Sequence, residues 1–162
     1  AVTDALTGLH NRRYCDDALQ EYLAAFARIE KPIGMILLDL DHFKSVNDTY
    51  GHNIGDEVLR EVALCLKDFT RYHDVVARLG GEEFAVLSPN ITERQIFELA
   101  ERIRRAIAQF VVNAGGVSIN VTVSAGIAIW DGNETGQALY GRADKQLYVA
   151  KRNGRNQVCT AA

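Results

Sequence analysis

Two apolar segments separated by Gly80-Gly81 limit the folds open to this chain more than any other feature of its sequence. Residues 75–79 precede the glycine pair, and residues 83–87 follow it. A glycine pair between two short strands is typical of a tight hairpin, because such turns need positive φ angles. The strands of a hairpin run antiparallel, so the sequence excludes an all-parallel sheet.

Four stretches carry apolar residues at the spacing of an amphipathic helix. Asn11 is a candidate N-cap for the first helix, and Thr92 with Gln95 predicts a capping box before the third. Gly154 is placed to end the fourth helix as its C′ glycine. The four stripes are Ala18, Leu19, Tyr22, Leu23 and Phe26; Ile54, Val58, Val62, Leu66 and Phe69; Ile96, Leu99, Ile103, Ile107 and Phe110; and Leu139, Ala143, Leu147 and Ala150.

The other apolar segments predict strands. Residues 33–40 form a continuous apolar run, which is typical of a central strand covered on both faces. Residues 117–130 have a strand pattern with a break near Gly126, and residues 157–159 predict a short edge strand. The predicted order is α-β-α-β-β-α-β-α-β. We therefore expect an α+β fold in which helices flank a mostly antiparallel central sheet.

Size and charge exclude several classes of protein. The 162 residues suit one domain, residues 1–162, with its own core. The 18 basic and 21 acidic residues give a net charge of −3, which argues against a nucleic-acid partner. No apolar run approaches the ~18 residues of a membrane span. The three cysteines form no CxxC motif, so we expect reduced thiols and a cytoplasmic location.

Acidic residues gather where two predicted strands end. Asp39 and Asp41 share one face of the 33–40 strand because side chains alternate, and Glu82 and Glu83 follow the glycine turn. Ionised carboxylates at the end of a buried strand are costly unless they are paired or bound to a cation. If the two ends are neighbours, they form an oxygen-rich site that suits Mg²⁺ or Mn²⁺. Either acidic group alone is better explained by solvated side chains.

Later residues offer groups that could bind a nucleotide. An aspartate such as Asp56 can accept both donors of the guanine Watson–Crick edge, and an amide such as Asn47 can address guanine O6 or N3. A loop followed by a helix with acids in its first turn explains the same residues. Lys151, Arg152 and Arg155 could neutralise phosphates, although cations are also favourable at a helix C-terminus without any ligand.

Together these residues resemble the GGDEF family, the diguanylate cyclases. The motif that names the family is Gly80-Gly81-Glu82-Glu83-Phe84 here, the GGEEF variant. Residues 4–13 resemble its opening D-x-L-T-x-L-x-N-R-R segment, and residues 39–48 its D-x-D-x-F-K-x-x-N-D block. Gly51-His52 and Gly55-Asp56 follow in register, and residues 150–156 resemble its closing A-K-x-x-G-R-N. The five motifs cover essentially the whole chain.

The resemblance implies a fold like class III nucleotidyl cyclases and the polymerase palm. It also implies a metal-dependent condensation of two GTP into cyclic di-GMP, with release of two pyrophosphates. The implied catalytic residues are Asp39, Lys44, Glu82 and Glu83. The implied ligands of Mg²⁺ or Mn²⁺, two ions per site, are Asp39, the Leu40 carbonyl, Glu82 and Glu83, with Glu83 either a metal contact or a proton acceptor. The resemblance also implies guanine contacts at Asn47 and Asp56, and triphosphate contacts at Phe43, Lys44, Gly80, Gly81, Lys151 and Arg155.

An Arg-x-x-Asp pair, Arg71 and Asp74, stands before the first hairpin strand. An exposed ion pair worth under ~1 kcal/mol would explain it without any ligand. The family, however, has a product-binding inhibitory site of this form at this distance from the glycine turn. The resemblance therefore implies feedback inhibition by cyclic di-GMP at Arg71 and Asp74, with Arg102 contributed by a second domain.

The two bonds of the product are related by two-fold symmetry, so the implied catalytic unit is a homodimer in which each domain brings one GTP. A catalytically silent domain that senses GTP or cyclic di-GMP is the first alternative, and a cyclase that uses another nucleotide is the second. The retained motif acids and Lys44 favour the enzyme.

The chain begins at Ala1, not Met, so we expect a domain excised from a longer sensor protein. Any membrane or sensor contact would then lie in that missing N-terminal region.

Overall fold

A computed structural model of the chain describes residues 1–161. The elements in chain order are α1 (Arg12–Ile29), β1 (Ile33–Leu40), α2 (Phe43–Tyr50), α3 (His52–Phe69), β2 (Val75–Gly80), β3 (Glu83–Pro89), α4 (Glu93–Gln109), β4 (Val112–Ala114), β5 (Val117–Ile119), β6 (Val123–Ile129), α5 (Gly136–Arg152) and β7 (Val158–Thr160). One sheet has the strand order β2-β3-β1-β6-β7, and β4 and β5 form a separate hairpin.

The central sheet is mostly antiparallel, as predicted. Strand β1 pairs antiparallel with β3 and β6, and β2 pairs antiparallel with β3. Strand β7 adds the parallel pairing, along β6. The glycine hairpin is confirmed, with Gly80 at φ 142° and Gly81 at φ 52°. Every residue of β1 is buried, which confirms a central strand covered on both faces.

Two apolar layers cover the sheet, one on each face. Ile36, Leu38 and Leu40 of β1 pack into the core cluster that includes α3 and α4. Met35 and Leu37 pack into the other cluster, which includes α1 and α5. Because side chains alternate along a strand, the α1/α5 face is also the face of Asp39. The helices of this layer therefore determine what surrounds that carboxylate.

The predicted helix ends are confirmed. The Asn11 side chain accepts a hydrogen bond from the Tyr14 amide at the start of α1. Thr92 and Gln95 form the reciprocal capping box of α4. Gly154, at φ 114°, follows the C-cap of α5. Strand β7 begins one residue later than predicted.

Three parts of the prediction are wrong. Helix α2 lies where a loop was expected, and β4 was not predicted. The interruption after β5 covers residues 120–122, whereas Gly126 lies inside β6. A Cβ on Gly126 would stand 2.2 Å from both Ala143 O and Leu147 N. This glycine therefore allows the backbone of α5 to pack on the sheet and does not end a strand.

The three cysteines, Cys15, Cys65 and Cys159, are free thiols. Burial raises the pKa of Cys15 to about 12 and that of Cys65 to about 11, so both are protonated at neutral pH. Among the helices of residues 1–161, none has the length and apolar character needed to cross a membrane.

Candidate active site

The acidic end of β1 and the acidic glycine turn are neighbours in the sheet. The antiparallel register places Asp39 directly opposite Glu83. One residue further along, the Leu40 amide donates a hydrogen bond to the Glu82 carbonyl oxygen at 3.2 Å. The pairing of β1 with β3 therefore brings together the two acidic segments that lie far apart in the sequence.

Asp39 lies in an environment that disfavours its charge. Its side chain is only 9% exposed, and burial raises the pKa of its carboxyl above the usual value. The negative charges of Glu82 and Glu83 raise this pKa further, and the ammonium of Lys151, which donates a hydrogen bond to Asp39 Oδ2, opposes the rise. Burial, together with the two acidic neighbours, thus outweighs the single bond from Lys151 to Asp39.

The donors at this edge fit a hard divalent cation. They are carboxylate and carbonyl oxygens, the atoms that Mg²⁺ and Mn²⁺ prefer, and a bound cation would favour the ionised form of Asp39, which burial and the neighbouring acids disfavour. Within residues 1–161, however, no three His, Cys, Asp or Glu side chains are close enough together to hold one ion. The expected convergence is present in the backbone register but not in the side-chain positions.

Asp41, the other acid at the end of β1, has a different environment. Its carboxylate accepts hydrogen bonds from Thr122 Oγ1 and Ser124 Oγ, both at 2.6 Å. It also accepts one from the Asn156 amide at 3.0 Å. Neutral donors thus satisfy Asp41, so it does not join the acids around Asp39.

Helix α2 follows β1 almost directly and carries two of the residues assigned to the triphosphate. Phe43 is buried beneath its first turn. Lys44 is 89% exposed and pairs with Asp48 at 3.2 Å. The N-cap residue, His42, supplies no side-chain hydrogen bond to the helix start. An uncapped helix N-terminus is a favourable place for phosphate.

The two residues assigned to guanine lie on neighbouring helices. Asn47 of α2 packs on Gly55 of α3 so closely that a Cβ there would stand 1.9 Å from Asn47 Oδ1. That oxygen is buried and has no hydrogen-bond partner in the described part of the chain. Asp56 lines a cleft of about 460 Å³ between α3 and the β4–β5 hairpin, and Asn47 is not among the residues that line it. The structure thus places the two residues near each other without a shared pocket.

The remaining residues assigned to phosphate surround the same edge of the sheet. Lys151 reaches Asp39 from the last turn of α5, and Arg155 follows in a loop with positive φ. A Cβ on Gly80 or Gly81 would meet nothing within 4 Å. Positive φ, rather than crowding by the protein, therefore requires glycine at the turn.

Arg71 and Asp74 form a closed pair. Arg71 Nη2 lies 3.1 Å from Asp74 Oδ1, and the Arg71 amide donates to Asp74 Oδ2 at 2.8 Å. Ser88 Oγ donates to Asp74 Oδ1 at 2.7 Å and accepts from Arg71 Nη2 at 2.5 Å. The Asp74 side chain is 0% exposed, against 38% for Arg71. Arg102 stacks on the Phe69 ring at the end of α3, with 5.4 Å from its guanidinium carbon to the ring centroid.

Arg12 belongs to the surroundings of the glycine turn, although no motif assigned it to the site. Its guanidinium lies 4.0 Å from Glu83 Oε2, donates to the Leu79 carbonyl at 3.3 Å and sits over the Tyr140 ring. It connects α1 to both sides of the glycine turn. Its position in the opening motif was a signal, but spacing along the chain cannot pair it with a turn 67 residues away.

The family model described as "Diguanylate cyclase, GGDEF domain" matches residues 1–157. The chain therefore belongs to the GGDEF family. It is 45% identical over 161 residues to the response regulator PleD of Caulobacter vibrioides, and 43% identical over 158 residues to the diguanylate cyclase DgcP of Pseudomonas aeruginosa. These matches cover 98% of the chain in both cases, but 36% of PleD and 24% of DgcP.

The fold comparison agrees with the family assignment. The GGDEF domain of DgcB from Caulobacter crescentus, solved in complex with c-di-GMP, superposes with a TM-score of 0.96 at 37% identity. The match covers 99% of this chain and 96% of that one. GGDEF domains have the palm-like cyclase fold, so the predicted fold class is confirmed. The diguanylate cyclases of this family generally depend on a divalent metal.

Proposed function

We propose that this chain is the catalytic domain of a diguanylate cyclase, which condenses two GTP into cyclic di-GMP and releases two pyrophosphates. The observation that carries the proposal is the register of β1 and β3, which puts Asp39 opposite Glu83 beside the glycine turn. The relatives named diguanylate cyclase support it. Because GTP is a cytoplasmic nucleotide, we place the domain in the cytoplasm.

The end of β1 and the adjoining glycine turn, together called the acidic edge, would hold Mg²⁺ or Mn²⁺, two ions per site. Asp39, Glu82, Glu83 and the Leu40 carbonyl supply the oxygens. When bound, the cations lower the pKa of the ribose 3′ hydroxyl and neutralise charge at the attacked phosphate and the leaving pyrophosphate. Glu83 would either contact a cation or accept the hydroxyl proton, since it faces Asp39 at the edge of the sheet. Both roles require its ionised form.

The chain's own cations would bind and orient the triphosphate. Lys151 already lies at the acidic edge, Lys44 stands in the first turn of α2, and Arg155 stands in the loop that follows α5. Phe43 would lie beside the nucleotide, and the turn at Gly80 and Gly81 would let the backbone meet the phosphates. Charge-assisted hydrogen bonds of this kind are stronger than neutral ones and fix the direction of the leaving group.

Guanine would be selected by Asn47 and Asp56. The buried Asn47 Oδ1 has no partner within the described residues, and as an acceptor it suits an N–H donor of guanine, whereas contact with guanine O6 or N3 would use the Asn47 amide nitrogen. A carboxylate at Asp56 accepts the N1 and N2 protons of guanine, whereas adenine presents an acceptor at N1 and would be repelled. We therefore assign the substrate as GTP rather than ATP.

Each chain supplies one such site, so turnover would need two chains facing each other. In each half-reaction one ribose 3′ oxygen bonds to the α-phosphorus of the other GTP. The bond from that phosphorus to pyrophosphate breaks, and one proton leaves the hydroxyl. Two-fold symmetry repeats the step and closes the ring.

Arg71 and Asp74 would bind cyclic di-GMP as a feedback inhibitor, with Arg102 contributed by a second domain. The guanidinium suits phosphate and the carboxylate suits a guanine edge. The partly exposed Arg71 side chain supports a role for it as the first contact of the ligand.

Incubation of the purified chain with GTP and Mg²⁺, followed by chromatography, tests the proposal. We expect cyclic di-GMP and pyrophosphate in a ratio of one to two. Tight GTP binding with neither product would instead support a silent sensor domain. A different cyclic dinucleotide from a mixed ATP and GTP pool would contradict the guanine assignment.

A further inference from the structure

Asp41 is a buried carboxylate whose hydrogen-bond partners are neutral. Two of them, Thr122 and Ser124, belong to the β6 side of the sheet, and the Asp41 amide itself donates to the Thr122 carbonyl at 2.9 Å. The strand that carries Asp39 thus continues one residue further and holds the Asp41 carboxylate in a fixed direction. A buried carboxylate is costly unless its oxygens accept several hydrogen bonds.

The third partner of Asp41 lies in the loop after α5, where three consecutive residues have positive φ. Gly154, Arg155 and Asn156 have φ values of 114°, 64° and 46°. Glycine and asparagine adopt positive φ more readily than other residues, so Arg155 is the residue of the three whose conformation requires compensating contacts. The loop would otherwise relax and move the Arg155 side chain.

The hydrogen bonds of the loop act on both peptide units of Arg155. Its own amide donates to the Ala150 carbonyl at 3.0 Å, which fixes the preceding peptide to the end of α5. The Asn156 amide donates to Asp41 Oδ2 at 3.0 Å. Because a peptide unit is planar, fixing the Asn156 N–H also fixes the Arg155 carbonyl. The Arg155 backbone is therefore held between α5 and the end of β1.

Other contacts of the loop do not replace this one. Gln157 Nε2 donates to the Arg155 carbonyl at 3.0 Å, but it belongs to the same loop. Arg104 Nη1 donates to Asn156 Oδ1 at 2.9 Å and joins the loop to α4. The bond to Asp41 joins the loop to the strand of Asp39, so it sets the distance between a proposed phosphate contact and the acidic edge.

We infer that Asp41 is a positioning residue, which orients the Arg155 guanidinium toward the triphosphate by fixing the Arg155–Asn156 peptide. The inference rests on the proposed contact of Arg155 with GTP. It assigns Asp41 no contact with substrate. It also separates the two acids of the strand end into one that faces the reaction and one that holds a cationic side chain in place.

The test is a double-mutant cycle on the affinity for GTP. Arg155→Ala weakens GTP binding about tenfold or more, the loss expected for a charge-assisted hydrogen bond. Asp41→Ala weakens it by a comparable factor in the parent chain. In the Arg155→Ala background, Asp41→Ala has no further effect, because the side chain that it positions is absent. Asp41→Asn restores most of the affinity, since its carbonyl can accept from Thr122 and Asn156 while the Ser124 hydroxyl turns to accept.

Two measurements keep the cycle decisive. Hydrogen exchange at the Asn156 amide becomes faster in Asp41→Ala and stays slow in Asp41→Asn. If Asp41→Ala does not fold, Thr122→Val serves instead, because it removes one of the hydroxyls that hold the carboxylate. It should weaken GTP binding less than Asp41→Ala does, and it should have no further effect in the Arg155→Ala background.

Equal losses of affinity from Asp41→Ala with and without Arg155 would overturn the inference, because they would mark a general structural role. Unchanged GTP binding in Arg155→Ala would overturn it as well, by removing the residue that Asp41 is said to position. Neither result concerns turnover by the parent chain, so a failure of the proposed activity would be seen separately, as the absence of cyclic di-GMP.

Discussion

The acidic edge of the sheet and the loop of residues 70–74, called here the Arg71 loop, both contain acidic and basic side chains, but their charges are balanced differently. At the edge, Asp39 shares its surroundings with Glu82 and Glu83, and Lys151 is the cation bonded to its carboxylate. The raised pKa of Asp39 shows that one lysine does not compensate for burial and two further negative charges.

In the Arg71 loop, by contrast, the charged groups already have hydrogen-bond partners within the protein. The buried Asp74 carboxylate accepts bonds from Arg71 and Ser88, and the Arg71 guanidinium also reaches the Pro89 carbonyl at 2.9 Å. A ligand at the acidic edge can therefore add missing positive charge. A ligand at the Arg71 loop must first exchange bonds that already exist, so its affinity depends on how strongly the loop holds its own partners.

The largest expected effect comes from neutralising the acidic edge. Asp39→Asn combined with Glu82→Gln should lower the rate of cyclic di-GMP formation by at least about 10²–10³-fold, the usual cost of losing one electrostatic group in an active site. Chromatography of the product measures it. Glu21→Gln, an exposed change on α1, is the matched control and should leave the rate unchanged.

The second effect concerns the closed pair. In Arg71→Ala, the concentration of cyclic di-GMP that halves the rate should rise about 10–100-fold, because a charged hydrogen-bond partner is lost. The initial rate in the absence of product should persist. Since the variant leaves Asp74 buried without its cation, its melting temperature must be recorded together with Arg71→Lys, which keeps the charge. Inhibition identical to that of the parent would contradict the assignment.

A smaller change in product inhibition is expected when Ser88 no longer forms hydrogen bonds with Arg71 and Asp74. Ser88→Ala removes a donor to Asp74 and an acceptor for Arg71, so the ligand has fewer bonds to displace. The half-inhibitory concentration should fall about 2- to 10-fold, as for a single net hydrogen bond. Titration of the initial rate with product, beside Ser118→Ala as a surface control, measures it. A rise instead of a fall would show that Ser88 helps to build the site.

The smallest effect is one of stability. Asp39 has a raised pKa in the fold, so the native chain binds more protons than the unfolded chain between the usual carboxyl pKa and the raised one. The free energy of unfolding therefore decreases as the pH rises through that window, and ionised Asp39 is a cost at neutral pH. With a chelator present, Asp39→Asn should melt at a higher temperature than the parent at neutral pH.

The same melting experiment carries its own check. The difference between Asp39→Asn and the parent should shrink as the pH approaches the ordinary carboxyl range near about 4, where the parent is also protonated. A difference that does not depend on pH would attribute the gain to packing rather than charge. A lower melting temperature at neutral pH would mean that the bond to Lys151 outweighs burial.

Local sequence patterns predicted most of the helices and strands, but they did not predict the different roles of neighbouring residues at the site. Alternation predicted that Asp39 and Asp41 share one face of β1, and the glycine pair predicted its hairpin. Alternation could not separate Asp39 from Asp41, because the donors that satisfy Asp41 come from residues more than 80 positions away. Gly126 was misjudged because its reason is the close approach of α5, a tertiary contact.

Binding of Mn²⁺ at the acidic edge, followed by electron paramagnetic resonance in the presence of a non-hydrolysable GTP analogue, tests most directly whether a cation sits between β1 and the glycine turn. The parent chain should show bound Mn²⁺ whose signal depends on the nucleotide, and Glu21→Gln should match it. The chain with Asp39→Asn and Glu82→Gln should show no protein-bound Mn²⁺, only the signal of Mn²⁺ and the nucleotide analogue without protein. Equal binding by that variant and the parent would contradict a metal site at this edge of the sheet.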